Sequence, residues 1–195
     1  MDVFSTAFLP GIGYFRKWVA ASDPVIDWGE HFIKQTQRNR ASILSSGGPQ
    51  NLIIPLRKSG SKRVGDMEIS YTEDWQTRCL RAIRSSYKNS PYFEHYQPEF
   101  EELLLQKEPL LAVYNQSLFS WLLKELDIPT PASYSDIYIE TGALNDYRNT
   151  DFYTQTGVDV KPYKQVFSYK MDFQAGLSAI DLLFNKGPEA FPYFL

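Results

Sequence analysis

A chain of 195 residues that is 43% hydrophobic and 15% aromatic can bury a sizeable core in one domain, and its net charge of -3 argues against a protein that coats nucleic acid. No apolar run approaches bilayer-spanning length and the N-terminus lacks the layout of a signal peptide, so a soluble, cytoplasmic chain with no transmembrane segment is expected. The lone Cys79 excludes an internal disulfide and a cysteine-based zinc knuckle, and it suits a reducing compartment.

Val3 to Leu9 reads as a short strand, Pro10-Gly-Ile-Gly13 as a turn, and the residues through Ala20 as an amphipathic helix. Ser22-Asp23-Pro24 closes the helix, and Val25-Ile26-Asp27 begins a second strand. Strand, turn, helix and strand open a parallel α/β unit, whose ligands sit beyond the carboxyl ends of the strands. Tyr14 and Asp27 are expected near that edge. Gly11-Ile-Gly13 is too short for a dinucleotide fingerprint, although free amides at the start of such a helix suit a phosphate.

Residues 32–44 and 51–57 are strand candidates joined by Ser45-Ser-Gly-Gly-Pro49, with Pro55 marking an edge or an early end. The first carries Lys34-Gln-Thr-Gln-Arg-Asn-Arg40, a dense set of cations and planar amides, and no Asp or Glu occurs between Glu30 and Asp66. Lys34, Arg38 and Arg40 do not fit an apolar core, and Gln35 and Asn39 add donors and acceptors among them. Lys58-Ser-Gly-Ser-Lys-Arg63 is a basic loop able to wrap a phosphate through Lys58, Lys62 or Arg63, a composition equally common in exposed hairpins. Charge is uneven along the chain: residues 1–63 carry nine Lys/Arg against four Asp/Glu, and residues 92–195 carry seven against fifteen. Basic and aromatic residues do not interleave as in a nucleic-acid-binding module, so the local basicity points to a small anionic or sugar-containing ligand.

Met67 to Tyr71 alternates as a further strand. Thr72 then suits the N-cap of a helix from Asp74 to Lys88, whose apolar stripe is Trp75, Cys79, Ile83 and Tyr87. On that stripe Cys79 reads as a small core residue before it reads as a nucleophile. Tyr92 to Tyr96 form an aromatic connector containing His95. Residues 98–127 read as two helices divided near Pro109, with Leu111, Tyr114, Leu118, Trp121 and Leu122 facing inward. A possible strand, Asp136 to Glu140, lies among long loops that include residues 145–159. Ser178 caps a last helix, Ala179 to Asn185, which Gly187-Pro188 ends, and the C-terminal Phe191 to Leu195 reads as tucked onto the core, with a dimer contact as the alternative.

Several phrases in this order together resemble the WbqC-like family. They are Phe8-Leu-Pro10 with Gly13-Tyr14-Phe15, Lys34 to Arg40, Leu52-Ile-Ile-Pro55, the helix-opening Trp75, Tyr87-Lys-Asn-Ser-Pro-Tyr-Phe93, and Ile180 to Glu189. The resemblance covers nearly the whole chain and implies one such domain, with residues 1–71 mainly sheet-forming around one helix and residues 72–195 mainly helical. It also implies a place in bacterial surface polysaccharide synthesis of the O-antigen type. Where relatives commonly carry histidine four residues after the helix-opening Trp75, this chain has Cys79, and Gln37 stands where an aromatic is expected.

The fold class expected is α/β, a mixed, partly parallel sheet from the N-terminal part covered by helices from the C-terminal half. One functional expectation is a transferase, of acyl or aminoacyl type, that modifies a nucleotide- or lipid-linked sugar. Lys34, Arg38 and Arg40 would bind its phosphate or carboxylate, Gln35 and Asn39 would orient hydroxyl or amide groups, and Tyr14 and Trp75 would supply stacking walls. His31 and Cys79 are the candidate catalytic groups, and no cofactor or metal is indicated. The alternative is a non-catalytic binding or assembly protein using the same residues. A third, purely structural reading pairs Arg38 and Arg40 with the acidic helices of the second half.

Overall fold

Strand β1, Asp2–Phe4, leads through helix α1, Ile12–Ala20, into strand β2, Pro24–Asp27, which pairs with β1 in parallel with Val3 opposite Val25. This is the βαβ opening read from the sequence. The computed structural model describes every residue except 59, 141–144 and 154–159. α1 forms because Ile12, Tyr14, Phe15 and Trp18 make one apolar face, and that face buries itself on the sheet: Phe4 stands 5.1 Å from both the Tyr14 and the Trp18 rings.

A hairpin follows, strands β3, Arg40–Ser45, and β4, Gly48–Ile53, antiparallel with Ser45 opposite Gly48. β3 starts later than the expected residue 32 and β4 ends before the expected residue 57, while the two meet in a tighter turn than expected. Residues 34–39 fold as turns because polar groups take up the backbone bonds: the Thr36 hydroxyl donates to the Ile33 carbonyl at 2.8 Å, and the Phe8 amide to the Gln37 carbonyl at 2.8 Å. Met67 to Tyr71 is likewise no strand, only the single bridges of Ile69 to Leu56 and Glu68 to Leu110.

Helix α2, Trp75–Tyr87, buries the expected stripe, capped by Asp74, whose carboxylate accepts the Thr77 amide at 3.3 Å, rather than by Thr72. Helix α3, Phe93–Leu105, starts five residues before the expected Pro98, because Phe93, Tyr96, Phe100 and Leu104 already form one buried stripe at steps of three and four. Packing of that stripe outweighs the hydrogen bond that Pro98 removes. Helix α4, Leu111–Glu125, presents its apolar face as expected, and helix α5, Ala179–Lys186, starts at Ser178, whose hydroxyl accepts the Ile180 amide.

Two further strands join the first sheet from the second half of the chain, so the parallel sheet is not built from residues 1–71 alone. Strand β5, Ser133–Ser135, pairs with β2, and strand β6, Asn145–Asp146, with β1, giving the all-parallel order β5-β2-β1-β6. The expected strand at 136–140 does not form. There the Ile139 amide donates to the Asp27 carboxylate at 3.1 Å instead of to a ladder, and the chain crosses so close to Gly29 that a Cβ there would lie 2.1 Å from the Tyr138 nitrogen.

The fold is thus α/β, with a parallel sheet, a separate antiparallel hairpin and, among the described residues, five α-helices. From β1 the chain steps one way to β2 and β5 and returns to β1's other side with β6. In open parallel sheets that reversal leaves a crevice beyond the carboxyl ends of the strands. The main apolar core runs from Phe4 to Phe194, with a small second cluster of Leu44, Phe167 and Leu177, and Phe194 packs 5.7 Å from Phe15, as expected for the C-terminus.

Candidate functional site

The loops that leave β1, β2 and β6 at their carboxyl ends surround residues 29–40, and three adjoining hollows open there. The first is a cationic cleft of about 770 Å³ whose lining includes Lys34, Arg40, Arg57, Lys58 and Lys62 with Phe32, Leu56 and Met67 beneath, and among the described residues it contains no acid. The second, about 460 Å³, is lined mainly by amides and hydroxyls, among them Gln37, Asn51, Asn149 and Thr150, with Arg38, Arg40, Arg148 and Asp151 as its charged residues. Gln35 and Arg40 line both. The third is a recess of about 510 Å³ walled by Glu30, His31, Tyr138, Asp146 and Arg148, and it shares Ile33, Arg148 and Asn149 with the second.

Within the 34–40 segment, side chains divide between holding the backbone and facing the hollows. Arg38 is a strut. Its Nε donates to Glu30 Oε1 at 2.9 Å, Nη2 donates to Glu30 Oε2 and to the Arg148 carbonyl at 3.0 Å, and Nη1 donates to the Thr36 hydroxyl at 3.1 Å. The acidic helices of the second half are not its partners. Asn39 is tied to Ile54 by a reciprocal pair, its Nδ2 donating to the Ile54 carbonyl at 2.8 Å and its own carbonyl accepting the Ile54 amide at 2.9 Å. Gln37 Nε2 donates to the Ser5 hydroxyl at 3.2 Å. The segment is therefore pinned to β1's exit, to β2's exit and to the residues after β4.

What remains for a ligand is Lys34, Gln35 and Arg40, joined by Lys58 and Lys62. The side chains of Lys34, Arg40, Lys58 and Lys62 make no ion pair or hydrogen bond to another described residue, and Arg40 Nε is buried with no partner among the described residues. Gln35 takes a positive φ of 61°, a costly backbone for a residue with a side chain, at the junction of the first two clefts. Arg57 and Arg63 are committed elsewhere, to Glu68 at 3.2 Å and to Asp66 at 2.8 Å.

The recess owes its shape to a second buried ion pair. Arg148 Nη1 donates to Asp27 Oδ2 at 2.6 Å and Nη2 to Asp146 Oδ2 at 2.7 Å, while the Tyr138 ring lies 4.7 Å from the guanidinium carbon. The paired carboxylates hold the Arg148 pKa well above its ordinary value. Burial lifts the Glu30 carboxyl to about 7, with the Arg38 guanidinium opposing the rise. His31 is exposed on the recess wall.

Three residues anticipated for the site lie in the core instead. Tyr14 is near the carboxyl edge of β1, its hydroxyl donating to the Ser5 carbonyl at 2.9 Å, yet it is 1% exposed and burial drives its pKa far up. Trp75 is packed among Tyr71, Phe8 and Tyr114. Cys79 is buried on α2, and burial pushes its thiol up to about 11. The amino end of α1 is no anion site either, since the Ile12 amide donates to the Leu177 carbonyl at 3.3 Å and Tyr153 covers Gly11.

Glu30, Asn51, Arg148 and Asn149 were not singled out from the sequence. The one signal toward the last two was the Asn/Asp/Thr-rich stretch 145–159, of which residues 154–159 lie outside the described residues. Among the described residues, no three His, Cys, Asp or Glu side chains come together as a metal site needs, and no helix is long and apolar enough to cross a membrane.

Comparison with known proteins places the same residues within one family. The chain is 21% identical over 224 residues to the uncharacterized protein Rv1507c of Mycobacterium tuberculosis (strain ATCC 25618 / H37Rv), an alignment that covers 98% of this chain and 95% of that protein. No solved structure matches it. The WbqC-like protein family matches residues 6–159, a span that contains every cleft residue named above, and the chain belongs to that family.

Proposed function

We propose that the protein is a transferase that modifies a nucleotide- or lipid-linked sugar, adding an acyl or aminoacyl group, in bacterial surface polysaccharide synthesis of the O-antigen type. The observation that carries this reading is the pairing of an acid-free cationic cleft with an amide-lined cleft across Arg40. Cations without partners among the described residues suit a phosphorylated handle, and amides that both donate and accept suit sugar hydroxyls. The polysaccharide setting is the one the family resemblance implies. His31, at the recess beside the amide-lined cleft, is the candidate for moving a proton. Mass spectrometry of the purified protein incubated with a nucleotide sugar and an acyl or aminoacyl donor tests the proposal. A sugar gaining the group, and losing that gain in Arg40→Ala, supports it; tight sugar binding without product contradicts it.

A second reading, a non-catalytic protein that binds a sugar precursor or a partner enzyme, is favoured by one observation. The one thiol of the chain is buried and protonated, and His31 has no carboxylate bonded to it among the described residues. Binding without turnover in the same incubation is what that reading expects.

A further inference from the structure

We infer that the ligand is a diphosphate with a sugar on one side, lying across Arg40 with its diphosphate in the cationic cleft and the sugar in the amide-lined cleft. This rests on the reading of the clefts as a substrate site and adds to it the number of phosphates and the direction in which the ligand lies.

The number of cations suits two phosphates. Lys34, Arg40, Lys58 and Lys62 bring four positive charges that no described residue neutralises, enough to bracket both phosphoryl groups of a diphosphate substituted at each end, whose total charge is about -2. Size agrees, since about 770 Å³ is the room of a whole small-molecule ligand and not of one phosphate. Phe32, Leu56 and Met67 give this cleft an apolar floor for whatever the far phosphate carries, a nucleoside or a prenyl chain.

Direction follows from the second cleft. Two of its cations, Arg38 and Arg148, have their guanidinium groups spent on Glu30, Asp27 and Asp146, so Arg40 is the cation it shares with the first. Its remaining polar groups are neutral amides and hydroxyls together with the Asp151 carboxylate, which repels a phosphate and accepts from a sugar hydroxyl. Gln37, only 5% exposed, keeps Oε1 buried with no partner among the described residues, an acceptor that a sugar hydroxyl satisfies and a phosphate does not. Arg40 thus meets the phosphate at the point where the sugar is attached.

Titration calorimetry of the full chain with inorganic phosphate, inorganic diphosphate, UDP, UDP-glucose and farnesyl diphosphate tests this. Lys62→Ala and Asn51→Ala serve as variants because both residues are exposed, and melting temperatures near the parent's are expected for both. Diphosphate binding at least about tenfold tighter than phosphate is expected. Lys62→Ala should weaken UDP and UDP-glucose alike, by about tenfold. Asn51→Ala should weaken UDP-glucose by about fivefold and leave UDP unchanged. Preference for UDP over farnesyl diphosphate assigns the apolar floor to a nucleoside, and the opposite preference to a prenyl chain. Phosphate binding as well as diphosphate, or Asn51→Ala weakening UDP as much as UDP-glucose, overturns the inference while leaving the clefts as a binding site. Failure of every probe to bind overturns the site itself.

Discussion

Arg38 and Glu30 form a two-pronged ion pair inside the protein, Arg38 Nε and Nη2 each donating to one Glu30 oxygen, with side chains 1% and 5% exposed. The pair bridges the exit of β2 and the turn before β3, and through the Arg148 carbonyl it reaches the exit of β6. It is the clamp that closes the clefts' shared wall.

Removing one member leaves a buried charge without its counterpart. Arg38→Ala is expected to cost about 3–5 kcal/mol of stability at pH 9, where Glu30 is ionised, read from urea denaturation. Arg38→Lys recovers part of that, because an ammonium cannot make the two-pronged contact. The cost shrinks at pH 5, where Glu30, already lifted to about 7 by burial, carries a proton. A loss under about 1 kcal/mol at both pH values would show that the pair does not hold the fold.

Asp181 supplies a second pH dependence. Its Oδ2 accepts the Tyr163 hydroxyl at 2.5 Å and Gln165 Nε2 at 3.0 Å, and burial raises its pKa from the ordinary 3.8 to about 6. Folded protein binds more protons than unfolded protein across that interval, so this contribution is full below about pH 4 and is lost as pH rises through 6. At neutral pH the deficit is roughly 3 kcal/mol, and Glu30, raised from 4.5 to about 7, acts with the same sign. Melting temperature should therefore fall between pH 5 and 7, and Asp181→Asn should flatten the fall and melt higher at pH 7.5. A variant with the parent's profile refutes this.

Gly187 closes α5 with φ of 54°, and a Cβ there would come 2.5 Å from the Tyr92 ring. Gly187→Ala combines backbone strain with overpacking, and about 2–4 kcal/mol of destabilisation is expected in a thermal melt. An unchanged midpoint would contradict it.

Cys79 should behave as an inert core thiol. With burial pushing it up to about 11, alkylation by iodoacetamide at pH 8 is expected to be slow in the folded protein and to become complete in urea. Rapid labelling of the native protein would reopen a catalytic role.

The parts of the fold visible in the sequence are those set by local pattern. The stripe Trp75, Cys79, Ile83 and Tyr87 marks α2 because a helix repeats its own period, and β1, α1 and β2 follow from glycine and proline punctuation. β5 and β6 escape such reading. Three and two residues long, they owe their bonds to β2 and β1, which lie far away in the chain. At the site, an acid-free run between Glu30 and Asp66 reveals where cations gather. It cannot reveal that Arg38 is spent on Glu30 while Arg40, two residues on, is left for a ligand, because that division depends on how residues 34–39 turn. Arg148 is hidden for the same reason, its carboxylate partners being assembled only when β2 and β6 flank β1.

The most direct test of the cleft is a matched loss of charge. Affinity for UDP-glucose is measured by calorimetry in the parent, in Arg40→Ala and in Arg81→Ala, an exposed cation on α2 that lines none of the three clefts. The account predicts a loss of at least about tenfold for Arg40→Ala, an unchanged affinity for Arg81→Ala, and melting temperatures close to the parent's for both. Equal affinities in all three proteins, or equal losses in the two variants, would contradict it.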